Sequence, residues 1–392
     1  MIKTISISEL EVGMYITEIV ECTDNFKLKK PGWASSESSI QQLTERGVLR
    51  LNIDTERTIT SKPEAPQLRA YQQQTRYDQI NPVSVAQEID KAKVLYSQAK
   101  QLQKRSFDDL EQGHNLDVSA FKELSEGLID SVFRNPQALT MMTRIRQKDE
   151  YLLEHSLNVG ILLGVFGRFL RLDESTISDL VLGGLLHDIG KIRIPEAILN
   201  KPARLTSEEF QVIKQHVLHG QSIITESDVK LPDITVQVMI QHHEQLNGAG
   251  YPHHLTSADI SPYGRMASIV DIFDALTGER VYKKAMLPTA ALSIIRSMTP
   301  EKLDSDLVDS FIRCVHVYPM GTLVQLKSGR LGIVSELNEK MPTKPIVKLI
   351  YSAKHNRHIK VEFLNLAHAT ANDSIISAEK AETFGLDLSN YI

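Results

Sequence analysis

The chain has 392 residues and a formal net charge of −5, with 42% hydrophobic and 24% charged residues. This length predicts two or three domains of an ordinary globular protein. The acidic balance argues against a partner that is a nucleic-acid polymer, and two cysteines, Cys22 and Cys314, exclude a disulfide framework or a cysteine-rich zinc site. The most apolar run, VGILLGVFGRFL, is interrupted by Arg168 and is too short to span a membrane. The start of the chain lacks a signal-peptide pattern, so we expect a cytoplasmic protein without a membrane partner.

Short runs typical of strands occupy the first 60 residues, namely ISISEL, MYITEIV and VLRLNIDT, with turn residues such as KKPGW between them. The next segment, TSKPEAPQLRAYQQQTRYDQINPVS, is polar, contains three prolines and lacks periodicity, which is typical of a linker. We therefore predict a small N-terminal α+β domain, rich in strands, over residues 1–65. A linker and a helix follow over residues 66–115.

Helical patterns dominate the middle of the chain. VAQEIDKAKVLYSQAKQLQKRSFDDLEQ and VSAFKELSEGLIDSVFR place apolar residues at three- and four-residue intervals, and Asn135-Pro136 suits the start of a helix PQALTMMTRIRQ. Amphipathic helices continue to about His316, so we predict a mostly α protein with a helical bundle over residues 116–317. Beyond it, GTLVQLKSGRLGIVSELN predicts a hairpin around Ser328-Gly329, and PIVKLIYS and HIKVEFLNL predict two more strands. A small C-terminal β-module and tail is therefore expected over residues 318–392.

Histidine and aspartate side chains recur in five of the predicted helices, mostly on apolar faces or at helix ends. One such residue is usually a hydrogen-bonded core residue, but five helices that offer them together favour a shared metal site. The candidate ligands are His155, His187, Asp188, His216, His242, His243 and Asp271. They are too many for one tetrahedral ion and suit two ions about 3.5–4 Å apart. Asp188 and a water would bridge these ions, and the resulting hydroxide would attack a phosphate ester.

Four motifs then carry a family resemblance: HDIGKIRIPEAILNKPARLTSEEF, KQHVLHG, HHEQLNGAGYP and VDIFDALTGERVYK. In this order and spacing they resemble the HD-GYP phosphodiesterases, a branch of the HD phosphohydrolase superfamily, from about Glu150 to Phe311. The resemblance implies a helical HD-type bundle that hydrolyses cyclic di-GMP to pGpG, GMP or both at a centre of two or three metals. It also implies that the seven candidates are the metal ligands. The N-terminal domain looks like the small domain of unknown function that often precedes such modules.

The resemblance assigns further roles by motif position. Asp188 and Lys191 would be catalytic, Lys191 by stabilising charge on a phosphate oxygen. The residues implied to bind substrate are Gly250, Tyr251, Pro252, Arg280 and Lys283. Three-metal members carry a glutamate where this chain has Tyr151, which favours two divalent ions. Iron is the first choice for them, with manganese, nickel, zinc or magnesium as alternatives.

Two alternatives remain open at this stage. Leu246, Asn247 and Ala249 stand where the family frequently has Trp, Asp and Ser, so the substrate could instead be 3′,3′-cyclic GMP-AMP. The second alternative is a binding module instead of an enzyme, which would bind a cyclic dinucleotide or a protein with weak catalysis. The complete ligand set argues against it. A generic nucleotide phosphohydrolase would not need the GYP segment. The protein partners to consider are GGDEF-domain proteins and, in a homodimer, a second copy of this chain.

Overall fold

The structure is a computed structural model that describes residues 2–23, 28, 31–34, 37–57, 80–144, 151–227, 229–278, 285–338, 341, 343–368 and 370–391. The strands are β1 (Ile2–Ser6), β2 (Tyr15–Cys22), β3 (Gly32–Trp33), β4 (Val48–Asp54), β5 (Leu323–Leu326), β6 (Arg330–Glu336), β7 (Ile346–Ser352), β8 (Arg357–Asn365) and β9 (Ile375–Ala378). The helices are α1 (Glu37–Glu45), α2 (Val85–Glu111), α3 (Val118–Arg134), α4 (Pro136–Met142), α5 (Tyr151–Phe169), α6 (Glu174–Leu186), α7 (Glu196–Leu199), α8 (Ser207–Lys214), α9 (His216–Glu226), α10 (Asp233–Gln241), α11 (Pro262–Thr277), α12 (Pro288–Ser297) and α13 (Ser305–Val315). The predicted fold class, a helical core with an N-terminal α+β region and a C-terminal β-module, is confirmed.

The N-terminal sheet is antiparallel and has the strand order β1-β4-β2-β3. The prediction that ISISEL forms a strand was wrong in position, because β1 ends at Ser6. There the Ser6 backbone N–H donates to Glu9 Oε2 at 2.8 Å and caps a 3₁₀ turn over Ile7–Glu9. Helix α1 was missed, and Gly32–Trp33 is a short strand where only a turn was expected. Most of the predicted linker, residues 60–79, lies outside the described residues.

Helix α2 belongs to the same hydrophobic cluster as the helices that follow it. Its Tyr96 hydroxyl donates to Asn158 Oδ1 at 2.9 Å, and Gln103 Nε2 donates to the Leu185 carbonyl at 2.7 Å. These bonds attach α2 to α5 and α6. The predicted cap at Asn135 is confirmed, since its side chain accepts the backbone N–H of Gln137 at 2.9 Å at the start of α4. That helix ends at Met142, and residues 145–150 lie outside the described residues.

Glycines set the distances between the central helices. A Cβ atom on Gly184 of α6 would lie 2.6 Å from the Gly160 Cα of α5, and one on Gly183 would lie 2.7 Å from the Val238 Cβ of α10. Both neighbours are closer than real side chains allow, so α6 fits between α5 and α10 only because these two positions lack side chains. This spacing holds the His155 ring of α5 and the His187 ring at the end of α6 at 5.2 Å.

The C-terminal sheet is antiparallel with the order β8-β7-β6-β5-β9. The predicted hairpin between β5 and β6 is confirmed, and Gly329 in its turn has a φ of +81°, which glycine adopts at little cost. The two strands predicted after it are β7 and β8, whereas β9 was missed. The Lys380 ammonium donates to the Ala285 carbonyl at 2.7 Å and so connects this sheet to the helical region. None of the helices within the described ranges is both long and apolar enough to cross a membrane.

Candidate metal centre

The seven candidate ligands come together where several central helices begin or end. His187 caps the C-terminus of α6, His216 opens α9, and His242 caps the C-terminus of α10. The buried members of the set are His155, His187, Asp188, His216, His242 and Asp271, whereas the His243 side chain keeps 25% of its surface exposed. His155 was expected at the polar edge of its helix, but it is only 1% exposed.

The ligand atoms fall into two groups of three. The inner group consists of His155, His187 and Asp188, and the outer group consists of His216, His242 and His243. Within each group the ligand atoms lie within 4.8 Å of one another. Three donors at this separation can surround one ion, so the arrangement offers two neighbouring positions for a metal.

Two carboxylates connect the groups. Asp188 directs Oδ2 toward His187 Nε2 at 3.3 Å and Oδ1 toward His216 Nε2 at 3.2 Å. Asp271 does the same from α11, with Oδ1 3.0 Å from His155 Nε2 and Oδ2 3.6 Å from His243 Nδ1. A carboxylate with one oxygen facing each group can bridge two ions, as the sequence predicts for Asp188.

The proton positions on the histidines fit bound cations. His187, His216 and His242 each hold Nδ1 against the carbonyl oxygen three residues earlier, at 2.8, 2.7 and 2.8 Å. A carbonyl only accepts, so Nδ1 carries the proton and Nε2 presents a lone pair. The Nε2 atoms of His216 and His242 face each other at 3.4 Å, and two lone pairs cannot hydrogen-bond to each other. Among the described atoms, His187 Nε2 and Asp188 Oδ1 are also buried without a hydrogen-bond partner, and divalent ions would satisfy all four.

Asp274 contacts the candidate ligand His155, although the ligand set predicted from the sequence does not include it. Its Oδ2 lies 2.7 Å from His155 Nδ1, and both side chains are 1% exposed. Burial lowers the pKa of His155, but hydrogen bonds to Asp271 and Asp274 outweigh it and raise this pKa above its usual value. The carboxylate therefore orients the ring so that Nε2 faces the centre. The available signal was the spacing in VDIFDALTG, because Asp271 and Asp274 are three residues apart and share a helix face.

The electrostatic field keeps the carboxylates ionised and His242 and His243 neutral. Burial raises the pKa of Asp188, yet its electrostatic interactions with His187 and Lys191 outweigh this effect and hold the pKa well below its usual range. Burial, and the repulsion that a protonated His242 would meet from neighbouring imidazoles, hold the pKa of His242 well below its usual value. Burial is also the main reason that the pKa of His243 falls to about 3. Ionised carboxylates and neutral imidazoles are the forms that bind metals.

Lys191 contacts Asp188 directly, with its ammonium on Oδ2. The turn that carries both residues is pressed against α9. A Cβ atom on Gly190 would lie 2.0 Å from the His216 carbonyl oxygen and 2.3 Å from the Gly220 nitrogen. The φ of Gly190 is not positive, so a glycine is required here for close approach and not for its backbone conformation.

The GYP loop folds back over the outer group. Gly248 has a φ of +74°, whereas Gly250 is needed because a Cβ atom there would lie 2.4 Å from the Glu244 Cα. Glu244, 2% exposed, accepts the backbone N–H of His253 at 2.7 Å and that of Leu255 at 3.1 Å. The sequence reading gave Glu244 no role, although it follows the two histidines directly. It fixes the part of the loop that follows Pro252.

Tyr251 reaches the outer group, with its ring centroid 4.6 Å from that of His243 and 6.4 Å from that of His216. Burial, together with the charges of Asp271 and Asp188, raises the pKa of its phenol, so the hydroxyl keeps its proton. The structure thus brings Tyr251 to the candidate metal centre. Two further residues implied to bind substrate, Arg280 and Lys283, lie outside the described residues, as does the side chain of Tyr151.

At Asn247 this chain departs from the frequent motif. The Asn247 side chain makes hydrogen bonds that stabilise the turn in which it lies. Its Oδ1 accepts the Ala249 backbone N–H at 3.1 Å, and its Nδ2 donates to Glu301 Oε1 at 3.2 Å. Both contacts hold the loop in shape. The departure therefore preserves the turn that leads to Tyr251.

A helical bundle that gathers a His-Asp turn and further histidines from neighbouring helices defines the class of HD-domain hydrolases. The model of the HD domain matches residues 128–307, and that of a domain of unknown function, DUF3391, matches residues 2–121. Cyclic di-GMP phosphodiesterase PA4108 of Pseudomonas aeruginosa is 32% identical over 389 residues, which cover 98% of this chain and 94% of that protein. The chain therefore belongs to the HD-GYP-like family of cyclic-dinucleotide phosphodiesterases, and the predicted resemblance and enzyme class are confirmed.

Two further relatives match shorter parts of the chain. A cyclic di-GMP phosphodiesterase of Thermotoga maritima is 31% identical over 184 residues, 47% of this chain and 50% of that protein. The 3′3′-cGAMP-specific phosphodiesterase 1 of Vibrio cholerae is 32% identical over 211 residues, 51% of this chain and 46% of that protein. These two relatives, whose names carry different substrates, resemble this chain to a similar degree.

Proposed function

We propose that this protein hydrolyses cyclic di-GMP to pGpG, GMP or both, with two divalent metal ions. The observation that carries the proposal is that the Nε2 lone pairs of His187 and His216 face the two oxygens of Asp188, one each. The similarity to the Pseudomonas aeruginosa enzyme over 98% of the chain supports the substrate. The complete ligand set also favours catalysis over a module that only binds.

In this proposal the inner group holds one ion and the outer group the other, with Asp188 and Asp271 between them. Iron is the first choice, and manganese, nickel, zinc and magnesium are the alternatives. Bound ions would lower the pKa of a water and neutralise charge on the phosphate. Lys191, whose ammonium contacts Asp188, would turn to a non-bridging phosphate oxygen and stabilise the charge that develops there.

The residues proposed to contact substrate are Gly250, Tyr251, Pro252, Arg280 and Lys283. Tyr251 offers a ring face and a protonated hydroxyl beside His243. Gly250 supports it indirectly, since its missing side chain lets the loop lie against Glu244. The cytoplasmic location, GGDEF-domain partners, the homodimer and the domain boundaries stay predictions from the sequence.

A second candidate substrate is 3′,3′-cyclic GMP-AMP. It is favoured by the similarity to the Vibrio cholerae enzyme, which is close to that of the Thermotoga maritima enzyme in identity and coverage. The chemistry at the phosphate would be the same for both substrates. Only contacts to the bases would separate them.

The test is turnover of both cyclic dinucleotides by the metal-loaded full-length protein, with products separated by chromatography. We expect hydrolysis of cyclic di-GMP by the wild type and a loss of about 10³-fold or more in Asp188→Ala, since that variant loses a bridging ligand and the partner of Lys191. Asp90→Ala, an exposed aspartate on α2, is the matched control and should keep the wild-type rate. Metal content measured on the same samples should fall in Asp188→Ala alone.

Each outcome separates the alternatives. If the protein hydrolysed 3′,3′-cyclic GMP-AMP but not cyclic di-GMP, the second candidate would be its substrate. Binding of either nucleotide without turnover by the metal-loaded wild type would favour the binding module. Hydrolysis that survives Asp188→Ala at the wild-type rate would contradict the role of the two ions.

A further inference from the structure

Two side chains of helix α8, Phe210 and Lys214, lie at the mouth of the candidate metal centre. Neither was given a role by the motifs that contain them. The Lys214 ammonium lies 5.3 Å from the ring centroid of Tyr251 and 5.0 Å from that of Phe210. The two rings are 6.4 Å apart at an angle of 82°, and Phe210 is 44% exposed. Tyr251 in turn lies 4.6 Å from His243, so these side chains continue the outer group toward solvent.

The Lys214 ammonium is held by aromatic faces and not by a carboxylate. Within the described part of the chain, no carboxylate oxygen lies within 4.0 Å of it, and of the two acids on the same helix, Glu208 and Glu209, the second is paired with Lys201 at 2.6 Å. A lysine whose charge the protein does not neutralise is available to an anion. The contact with both rings limits where that anion would bind, because it holds the ammonium beside Tyr251.

We propose that Lys214 and Phe210 form a second subsite of the centre, which binds the part of a cyclic dinucleotide that is not being cleaved. The Lys214 ammonium would bind the non-scissile phosphate, and the exposed Phe210 ring would stack on a purine. This inference rests on the proposed function. A cyclic dinucleotide has two phosphates and two bases, and the metals engage only one phosphate. The second phosphate needs a positive partner, and bases stack on aromatic side chains regardless of their identity.

The subsite would distinguish cyclic dinucleotides from simple phosphodiesters. The experiment therefore compares cyclic di-GMP with bis(p-nitrophenyl) phosphate, a diester with one phosphate and no purine, in the metal-loaded full-length protein. The variants are Lys214→Gln, Lys214→Arg, Phe210→Leu and Phe210→Tyr. Controls are Lys104→Gln, an exposed lysine on α2, and Phe169→Leu, which at 43% is as exposed as Phe210 but lies at the end of α5.

We expect Lys214→Gln to raise the KM for cyclic di-GMP about tenfold, the effect of losing one hydrogen bond to a charged group. Lys214→Arg keeps the charge and should stay within about threefold of the wild type. Phe210→Leu should raise the KM about fivefold because a leucine cannot stack, whereas Phe210→Tyr should not. In both damaging variants the preference for cyclic di-GMP over bis(p-nitrophenyl) phosphate should fall by the same factor, with metal content as in the wild type.

A KM for cyclic di-GMP within twofold of the wild type in Lys214→Gln would overturn the subsite. So would equal losses on both substrates together with a loss of metal, because these would reveal a purely structural role. A wild type that cleaves bis(p-nitrophenyl) phosphate but neither cyclic dinucleotide would overturn the proposed function itself, and the subsite with it.

Discussion

The inner and outer groups of candidate ligands contain similar donor atoms, but different structural elements hold them in place. His155 and His187 sit on two long helices that touch through their glycine backbones, and both rings are 1% exposed. His243, in contrast, follows the end of α10, is 25% exposed and lies against Tyr251 of a loop. The inner group is therefore enclosed by packed helices, whereas the outer group, in which His216 and His242 are also buried, reaches the surface at His243.

This difference predicts how substitutions near each group affect the protein. A substitution in the helices that hold the inner group disturbs helix packing, so it should lower global stability and metal affinity together. A substitution behind the outer group disturbs a loop that can open locally, so it should affect substrate binding more than global unfolding. Substitutions on either side can test this separation.

The largest expected effect is at the contact between α5 and α6. Gly184→Ala places a Cβ atom 2.6 Å from the Gly160 Cα and 2.7 Å from its nitrogen, and backbone atoms cannot rotate away. We expect a loss of about 3 kcal/mol or more in the free energy of unfolding, measured by denaturant titration of the metal-free protein. The control is Gly32→Ala, whose Cβ atom meets nothing within 4 Å. It should change stability by less than about 0.5 kcal/mol.

If Gly184→Ala unfolded at the wild-type denaturant concentration, the inner group would not depend on the close helix contact. The proposed difference between the inner and outer groups would then be contradicted where the largest effect is expected. If the variant proved too unstable to purify, Gly164→Ala on α5 would be measured instead, because the nearest neighbour of its Cβ atom is the Val181 Cγ2 methyl group at 2.9 Å, which can shift more easily than backbone.

A smaller effect is expected at Asp274, which orients His155 without joining either group. Asp274→Ala leaves the His155 ring free to turn, and we expect metal affinity to fall about 10- to 100-fold. Asp274→Asn keeps an oxygen that can accept from Nδ1 and should lose about three- to tenfold. Calorimetric titration of metal-free protein with Mn²⁺ measures both. Equal affinity of the wild type and Asp274→Ala would contradict the orienting role.

The sequence named the seven candidate ligands that the structure brings together, because each lies in a short motif with a fixed place on its helix. These seven residues and the ends of α6 and α10 needed only local patterns. Asp274 was missed because its partner His155 is 119 residues away, and no local pattern shows which helix faces which. Phe210 and Lys214 were missed for the same reason, since their role depends on a loop folding back onto α8.

The same limit applies to the glycines. A positive φ is the usual local reason for a glycine in a turn, but neither Gly190 nor Gly250 has one. Both are required for close approach to a distant backbone, at 2.0 Å and 2.4 Å for a hypothetical Cβ atom. Packing between elements, and not conformation within one, explains them.

The smallest of the expected effects is at Glu244, which holds the GYP loop beside the outer group. Both of its oxygens accept backbone N–H groups, of His253 at 2.7 Å and of Leu255 at 3.1 Å. Glu244→Gln replaces one acceptor with an NH₂ group, so one backbone donor faces another donor, at a cost of about 1–2 kcal/mol. Because the loop can open instead of the core, we expect the KM for cyclic di-GMP to rise about fivefold. The denaturant midpoint should stay close to that of the wild type.

The matched control for Glu244→Gln is Glu301→Gln, an exposed carboxylate in contact with Asn247 at the same loop. It should change KM by less than twofold, since exposed polar contacts contribute little. A large fall in the denaturant midpoint of Glu244→Gln, with metal lost in parallel, would mean that this loop is as much a part of the core as α5 and α6. The contrast between an inner group enclosed by packed helices and an outer group that reaches the surface would then be wrong. A raised KM at constant stability and metal content would instead locate substrate entry at Tyr251 and the loop that carries it.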